Sequence, residues 1–214
     1  MTLQLLNVLD DWTETLDNGH ITDIIYIDFQ KTFDSVPHKR LLSKIESYGI
    51  EGNILNWINT FLNNRRQRVL INGICSECKK VLSEVLQGSI LGPILVVIYI
   101  NDIINNLNSQ AYLFEDDMKL YRRINNDTDY NVLRSDINKV VEWTQLWLLQ
   151  LNPHKCKCIT SINKKVNNQI YSLNTPLGVD ELQKVNEKKD IGVVIDSSLK
   201  FKLHVAEKIN RQLE

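Results

Sequence analysis

Three aspartates in two places set the chemistry this sequence could perform. Asp28 closes the apolar run Ile24-Ile25-Tyr26-Ile27, and Asp116-Asp117 follow Phe114-Glu115 between two β-prone segments. Two carboxylates about 4 Å apart repel by roughly 4 kcal/mol at an effective dielectric of 20, so a cluster of three needs cations. Hard carboxylate oxygens with room left for water and phosphate ligands suit Mg²⁺. Two such ions would clamp an in-line phosphoryl displacement, one activating an attacking hydroxyl and the other holding the triphosphate and its leaving group. Each piece also has an ordinary reading. An Asp-Asp pair is often a solvated hairpin tip, and an Asp ending a strand is often a turn residue.

The elements around them must bring the two places together. Asp23–Phe29 is a near-continuous apolar run and reads as a strand buried on both faces. After Pro37, Leu41, Leu42, Ile45 and Tyr48 repeat at helical spacing, and Gly49 can end that helix. Ile54, Leu55, Ile58, Phe61 and Leu62 mark a second helix. Asn72-Gly73 between β-prone runs is a strong hairpin signal. Gln87-Gly88-Ser89 forms a loop opening the apolar helix Ile90–Ile104, with Pro93 in its first turn. Ala111–Phe114 and Met118–Arg123 read as strands flanking Glu115-Asp116-Asp117. Asp127 is positioned to cap a long helix with Tyr130, Leu133, Ile137, Val140, Val141, Thr144, Trp147 and Leu148 on one stripe, and Asn152-Pro153 stops it. Ile170–Leu173 and Asp190–Asp196 read as short strands, and a last helix runs near His204–Leu213. This order predicts an α+β fold, a split βαβ (ferredoxin-like) antiparallel sheet with helices packed on one face. In such a sheet the strand ending at Asp28 and the Asp116-Asp117 turn can be neighbours.

Composition narrows the classes. At 214 residues, 43% hydrophobic and 24% charged, the chain can bury a real core, and wholesale disorder is excluded. The longest apolar run, Ile94–Ile100, is far short of the roughly 20 residues of a membrane helix. No basic segment precedes an apolar one at the N-terminus, so a secretory signal is not expected. The net charge of −1 hides segregation: residues 1–37 hold seven acids and one base, and residues 38–80 hold eight bases and three acids. Residues 81–149 are again acidic and residues 150–214 basic. An acidic centre flanked by basic surfaces is one reading; solvated faces are the other. Four cysteines, Cys75-x-x-Cys78 and Cys156-x-Cys158, could pair on zinc, but the second pair has the wrong spacing and no ligand-rich surroundings. Reduced thiols are expected.

Five segments, in order and spacing, resemble the motifs of reverse transcriptases from jockey-like non-LTR retrotransposons. Tyr26-Ile-Asp-Phe-Gln-Lys-Thr-Phe-Asp-Ser-Val-Pro-His38 is similar to motif A, Gln87-Gly-Ser-Ile-Leu-Gly-Pro93 to motif B and Phe114-Glu-Asp-Asp117 to motif C. Trp143 through Lys157, with Asn152-Pro153-x-Lys155, resembles motif D, and Asp190-Ile-Gly-Val193 the stretch around motif E. The resemblance implies a polymerase palm and an RNA-directed DNA polymerase activity, with an RNA template, a DNA primer and deoxynucleoside triphosphates as partners. It implies that Asp28, Asp116 and Asp117 hold two Mg²⁺ ions, with Mn²⁺ as the alternative, and that Phe29 adds its backbone carbonyl. Phe33 would lie beneath the incoming sugar and exclude a 2′-OH. Gln87 and Gly88 would border the base pair, and Lys155 would protonate or neutralise the pyrophosphate. Arg65, Arg66 and Arg68 could track a nucleic-acid backbone or simply solubilise an edge. The implied location is intracellular, nuclear or cytoplasmic, without a membrane; oligomeric state is left open.

Two positions depart from the pattern. Glu115 stands where the family carries a small residue; on a strand it would face away from Asp116, and a fourth carboxylate there would repel phosphates. Leu86 replaces the proline before Gln87, which relaxes that loop. Residues 1–160 are expected to be a palm with partial fingers and 161–214 the motif E region and the start of a thumb-like connection, cut from a larger protein. The alternatives are an inactive relic that binds nucleic acid, and an interaction module whose aspartates only cap turns.

Overall fold

The computed structural model describes residues 2–63, 65–161, 169–176 and 178–213. In chain order the elements begin with α1 (Thr2–Asp17), β1 (Ile21–Asp28), α2 (Thr32–Ser35), α3 (His38–Ser47) and α4 (Gly52–Leu62). Four short strands follow, β2 (Arg66–Gln67), β3 (Leu70–Ile71), β4 (Ile74–Cys75) and β5 (Lys79–Lys80). Then come α5 (Leu91–Ile100), a 3₁₀ turn at Asn101–Ile104, β6 (Gln110–Phe114), β7 (Asp117–Ile124) and α6 (Asp127–Trp147). The last part holds β8 (Lys157–Ser161), β9 (Ser172–Thr175), β10 (Gly178–Glu181), β11 (Gln183–Lys184), β12 (Glu187–Asp190), β13 (Val193–Asp196) and α7 (Lys202–Leu213). These elements form two compact units. One comprises Met1–Asp28, Ile104–Glu142 and Leu151–Glu214; the other comprises Phe29–Ile103 and Trp143–Gln150.

The first unit is built on a five-stranded sheet in the order β11-β8-β1-β7-β6. β1 is central and pairs antiparallel with both β7 and β8, and β11 joins β8 in parallel. Thr22 through Ile27 are all buried, and for Ile24–Ile27 the unbroken apolar run demands it. On one face Ile24, Tyr26, Tyr121 and Ile159 form a core with Leu5, Val8 and Trp12 of α1 and Ile195 of β13. Trp12 meets Tyr121 edge-on at 5.5 Å. The opposite face is marked by Asp23, which accepts a hydrogen bond from Tyr171, and by Arg122, which pairs with Asp129 of α6. α1 supplies the apolar stripe that the first face needs.

Several boundaries shift for local reasons. α6 is capped by Asn126 and not by Asp127: the Asn126 Oδ1 accepts the Thr128 and Asp129 N–H groups, and Asp129 returns to the N–H groups of Asn125 and Asn126. The segment read as one strand over Asp190–Asp196 is the hairpin β12–β13, reversed at Ile191-Gly192, both with positive φ. β8, unmarked in the sequence reading, fills the sheet beside β1.

In the second unit, α3 packs against α4 and α5. The Asn72-Gly73 turn joins β3 and β4 with φ of 50° and 82°, as expected. Gly92 is required for another reason: a Cβ there would lie 2.6 Å from the Leu86 carbonyl oxygen. Lys44 of α3 is only 3% exposed. Its ammonium donates to the Tyr99 carbonyl at 2.6 Å and to Asp102 at 2.5 Å. It also stands 3.6 Å from the Trp147 ring centroid and 4.8 Å from that of Trp143. A buried ammonium is tolerated here because a carboxylate, a carbonyl and two indole faces replace its water.

Candidate active site

β1 and β7 place Asp28 directly opposite Asp117, and Tyr26 opposite Lys119 one pleat earlier. Opposed residues share a face and alternate residues return to it, so Tyr26, Asp28, Asp117 and Lys119 line one face of the sheet. Opposed Cα atoms in such a ladder lie about 4.5–5.5 Å apart, which brings the two aspartates into one locality. Phe114 closes the β6–β7 hairpin opposite Asp117. Glu115 and Asp116 are the two turn residues between them. Glu115 is exposed at a φ of 53°, so its side chain is not set by strand alternation as the sequence reading supposed.

Local hydrogen bonds fix the surroundings. The Asn152 N–H donates to the Asp28 carbonyl at 2.8 Å, and Asn152 in turn accepts from the N–H groups of Lys155 and Cys156. This turn after Asn152-Pro153 carries Lys155 to 3.8 Å from Asp28 Oδ1 while the lysine stays 67% exposed. The Asp28 N–H donates to Cys156 Sγ at 3.3 Å. Burial raises the Asp28 carboxyl above the usual range; Lys155 and Lys188 oppose that rise and Asp116 adds to it. Burial also raises Asp117, with repulsion from Asp116, Asp28 and Asp190 added and Lys188 opposing. The three carboxylates thus feel one another's charge, with two lysines beside them.

These residues suit a hard divalent ion by type and position. Asp28 Oδ1 is buried and accepts no hydrogen bond. The donors are neighbours and not a finished cage: among the described residues no three His, Cys, Asp or Glu side chains are gathered to hold a metal. Cys75 and Cys78 are exposed, and Cys156 and Cys158 are buried. Burial pushes the Cys156 thiol up to about 11 and that of Cys158 up to about 12, so both stay protonated near neutrality.

The other expected site residues belong to the second unit. Phe29 is buried. Phe33 lies in α2, and its carbonyl accepts the Val85 N–H at 2.7 Å, which ties it to the segment leading into Gln87. Gln87 and Gly88 are exposed in the loop before α5, and Gly88 has a φ of 85° with open space where a Cβ would be. Arg65 is held by Glu84 at 2.9 Å and is half-buried. Arg66, opposite Lys80 on the β2–β5 ribbon, and Arg68, just past β2, are exposed.

The sequence reading missed three residues beside the carboxylates. Lys119 and Asp190 form an ion pair at 2.6 Å with side chains 1% and 3% exposed. Lys188 places its ammonium 5.4 Å from the Tyr26 ring centroid. Glu187-Lys188-Lys189-Asp190 are all charged, so nothing in the sequence marks which two turn inward until the turn at Ile191-Gly192 is placed.

A protein-family model for reverse transcriptase (RNA-dependent DNA polymerase) matches residues 6–195. The chain belongs to that family, and its fold is the polymerase palm. An RNA-directed DNA polymerase from the mobile element jockey of Drosophila funebris is 29% identical over 94% of this chain and 22% of its own length. A probable RNA-directed DNA polymerase from the transposon X-element of Drosophila melanogaster is 25% identical over 95% of this chain and 23% of its own length. The chain therefore spans under a quarter of these relatives. Apo telomerase from Candida tropicalis, truncated from its C-terminal domain, superposes over 94% of this chain and 39% of its own with a TM-score of 0.61 at 13% identity. A second telomerase structure from Candida tropicalis, in complex with a fragment of telomeric RNA, gives 0.62. Reverse transcriptases generally use divalent metals. Among the described residues no helix is long and apolar enough to cross a membrane.

Proposed function

We propose that this chain carries the palm of an RNA-directed DNA polymerase, in which a primer 3′-OH attacks a deoxynucleoside triphosphate on an RNA template. The observation that carries the reading is the register of β1 and β7, which sets Asp28 opposite Asp117 beside the turn that holds Asp116. Asp28, Asp116 and Asp117 would hold two Mg²⁺ ions, with Mn²⁺ as the alternative, and the Phe29 carbonyl would assist. Bound there, the ions would lower the pKa of the primer hydroxyl and neutralise charge on the departing pyrophosphate. Lys155, flexible and 3.8 Å from Asp28, would donate a proton or a positive charge to the leaving group. Phe33, Gln87 and Gly88 would contact the nucleotide, Phe33 by filling the space of a 2′-OH. Its location would be intracellular.

Primer extension on an RNA template with Mg²⁺ or Mn²⁺ tests this reading. Extension by the chain, abolished by Asp117→Asn and by Asp28→Asn, is expected. Extension that survives both substitutions would overturn the assignment of the carboxylates.

A second reading rests on the exposed Arg66, Lys79 and Lys80 of the ribbon and Arg68 beside it: a chain that binds nucleic acid without polymerising. It predicts affinity falling steeply with salt, together with silence in the extension assay.

A further inference from the structure

We propose that Lys188 is a resident counter-cation of the Asp28–Asp117 carboxylates, presented by a hairpin that the buried Lys119–Asp190 ion pair pins to the sheet, and that it competes with divalent ions for that site. The inference rests on the reading of these carboxylates as a metal site.

The placement follows from two registers. Asp28 opposes Asp117 and Tyr26 opposes Lys119, so the four residues form a square on one face of the sheet. Strand β12 lies over that face. Its Asp190 reaches Lys119 at 2.6 Å, with both side chains nearly removed from solvent. Two residues earlier, on the same side of β12, Lys188 stands over Tyr26 at 5.4 Å. Lys188 and Asp190 therefore grip the two residues of the square that are not metal ligands, next to the two that are. Lys189, between them, points away and is exposed.

The anchor is stiff. An ion pair this deeply buried has no water to exchange with, and losing either partner strands the other charge. A lysine two residues from such an anchor, with its ammonium over a tyrosine ring, is held near the carboxylates more firmly than a surface lysine. Its charge is within electrostatic reach of Asp28, Asp117 and Cys156. Lys155 differs, since its exposed side chain can swing clear. A divalent ion entering this site must work against the fixed charge of Lys188.

The test is Mn²⁺ binding to the full chain, followed by the loss of the free-ion electron paramagnetic resonance signal. Lys188→Gln and Lys188→Met are compared with Lys189→Gln, which makes the same change in net charge on the other side of β12. Lys188→Met keeps a long unbranched side chain should the Gln variant fold poorly. At a few ångströms, removing a unit charge that faces a divalent ion should tighten binding by about tenfold. Lys189→Gln should change it by less than about twofold. Equal effects at positions 188 and 189, or weaker binding in the Lys188 variants, would overturn the inference and leave the metal site standing. Mn²⁺ binding indifferent to Asp28→Asn and Asp117→Asn would overturn the metal site itself, and the inference with it.

Discussion

Asp28 and Asp117 hold their protons more tightly in the folded chain than in the unfolded one, because burial and neighbouring carboxylates disfavour the charged forms. The linkage has a definite sign. Below the ordinary carboxylate range both states are protonated and nothing is lost; as pH rises through the raised values, folding loses stability. At neutral pH the site is therefore a cost to the fold. Asp117 is still exposed, so solvent screens much of this repulsion, and Asp117→Asn should raise Tm by only about 1–2 °C in metal-free buffer while abolishing extension. Added Mn²⁺ should raise the Tm of the parent chain and leave the variant unchanged, because binding stabilises only a state that binds. Thermal unfolding with EDTA and with Mn²⁺ reads both. Glu115 makes a separate case. Its φ of 53° is costly for any residue with a Cβ. Glu115→Gly should stabilise the chain by about 0.5–1 kcal/mol in chemical denaturation, since the relief of strain exceeds the added chain entropy. Its carboxylate is not among those that repel Asp28 and Asp117, so Glu115→Ala should leave Mn²⁺ affinity within about twofold.

Acid stability belongs to the start and the middle of α6. Asp136 is buried, yet Lys139 and hydrogen bonds from Ser109 and Asn108 outweigh burial and hold its carboxyl below the usual range. Asp129 is lowered in the same sense by Asn125, Arg122 and Asn126 against burial. For these groups stability is fully present above the unfolded carboxylate range, near 3.9, and is lost as pH falls through the lower folded values. Denaturation between pH 5 and pH 2 should show a steep acid limb that flattens in Asp136→Asn. The elements were unevenly legible. Strand β1 could be read because Ile24–Ile27 is unbroken and apolar, and the β3–β4 turn because Asn-Gly is nearly diagnostic. The carboxylate pair was legible as soon as those strands were allowed to be neighbours. Strand β8 was not, because Lys157-Cys158-Ile159-Thr160-Ser161 mixes polar and apolar residues and its hydroxyls are buried only by tertiary pairing with β1. Nor was the β12–β13 hairpin, whose Ile191-Gly192 turn lacks the usual Asn or Asp. Lys188 and Asp190 stayed hidden for that reason: their shared side exists only once the hairpin is formed and seated.

The chain as a whole is two units that need not respond alike to a given substitution. In the second, Lys44 joins α3, the end of α5 and the last turn of α6 through Asp102, Tyr99, Trp143 and Trp147. Lys44→Met should cost that unit about 2–3 kcal/mol, less than a fully buried pair would lose because Asp102 keeps some access to water. The same cage has an optical consequence. Trp12 is fully buried against Tyr121 in the first unit, whereas Trp143 and Trp147 flank an ammonium in the second. Indole emission depends on such nearby charge, so the two units carry separate fluorescent reporters. In a Trp12→Phe variant all remaining emission comes from Trp57, Trp143 and Trp147 of the second unit, and with those three replaced by Phe it comes from Trp12 alone. Each unit's melting can then be watched on its own, in one chain and without an added label.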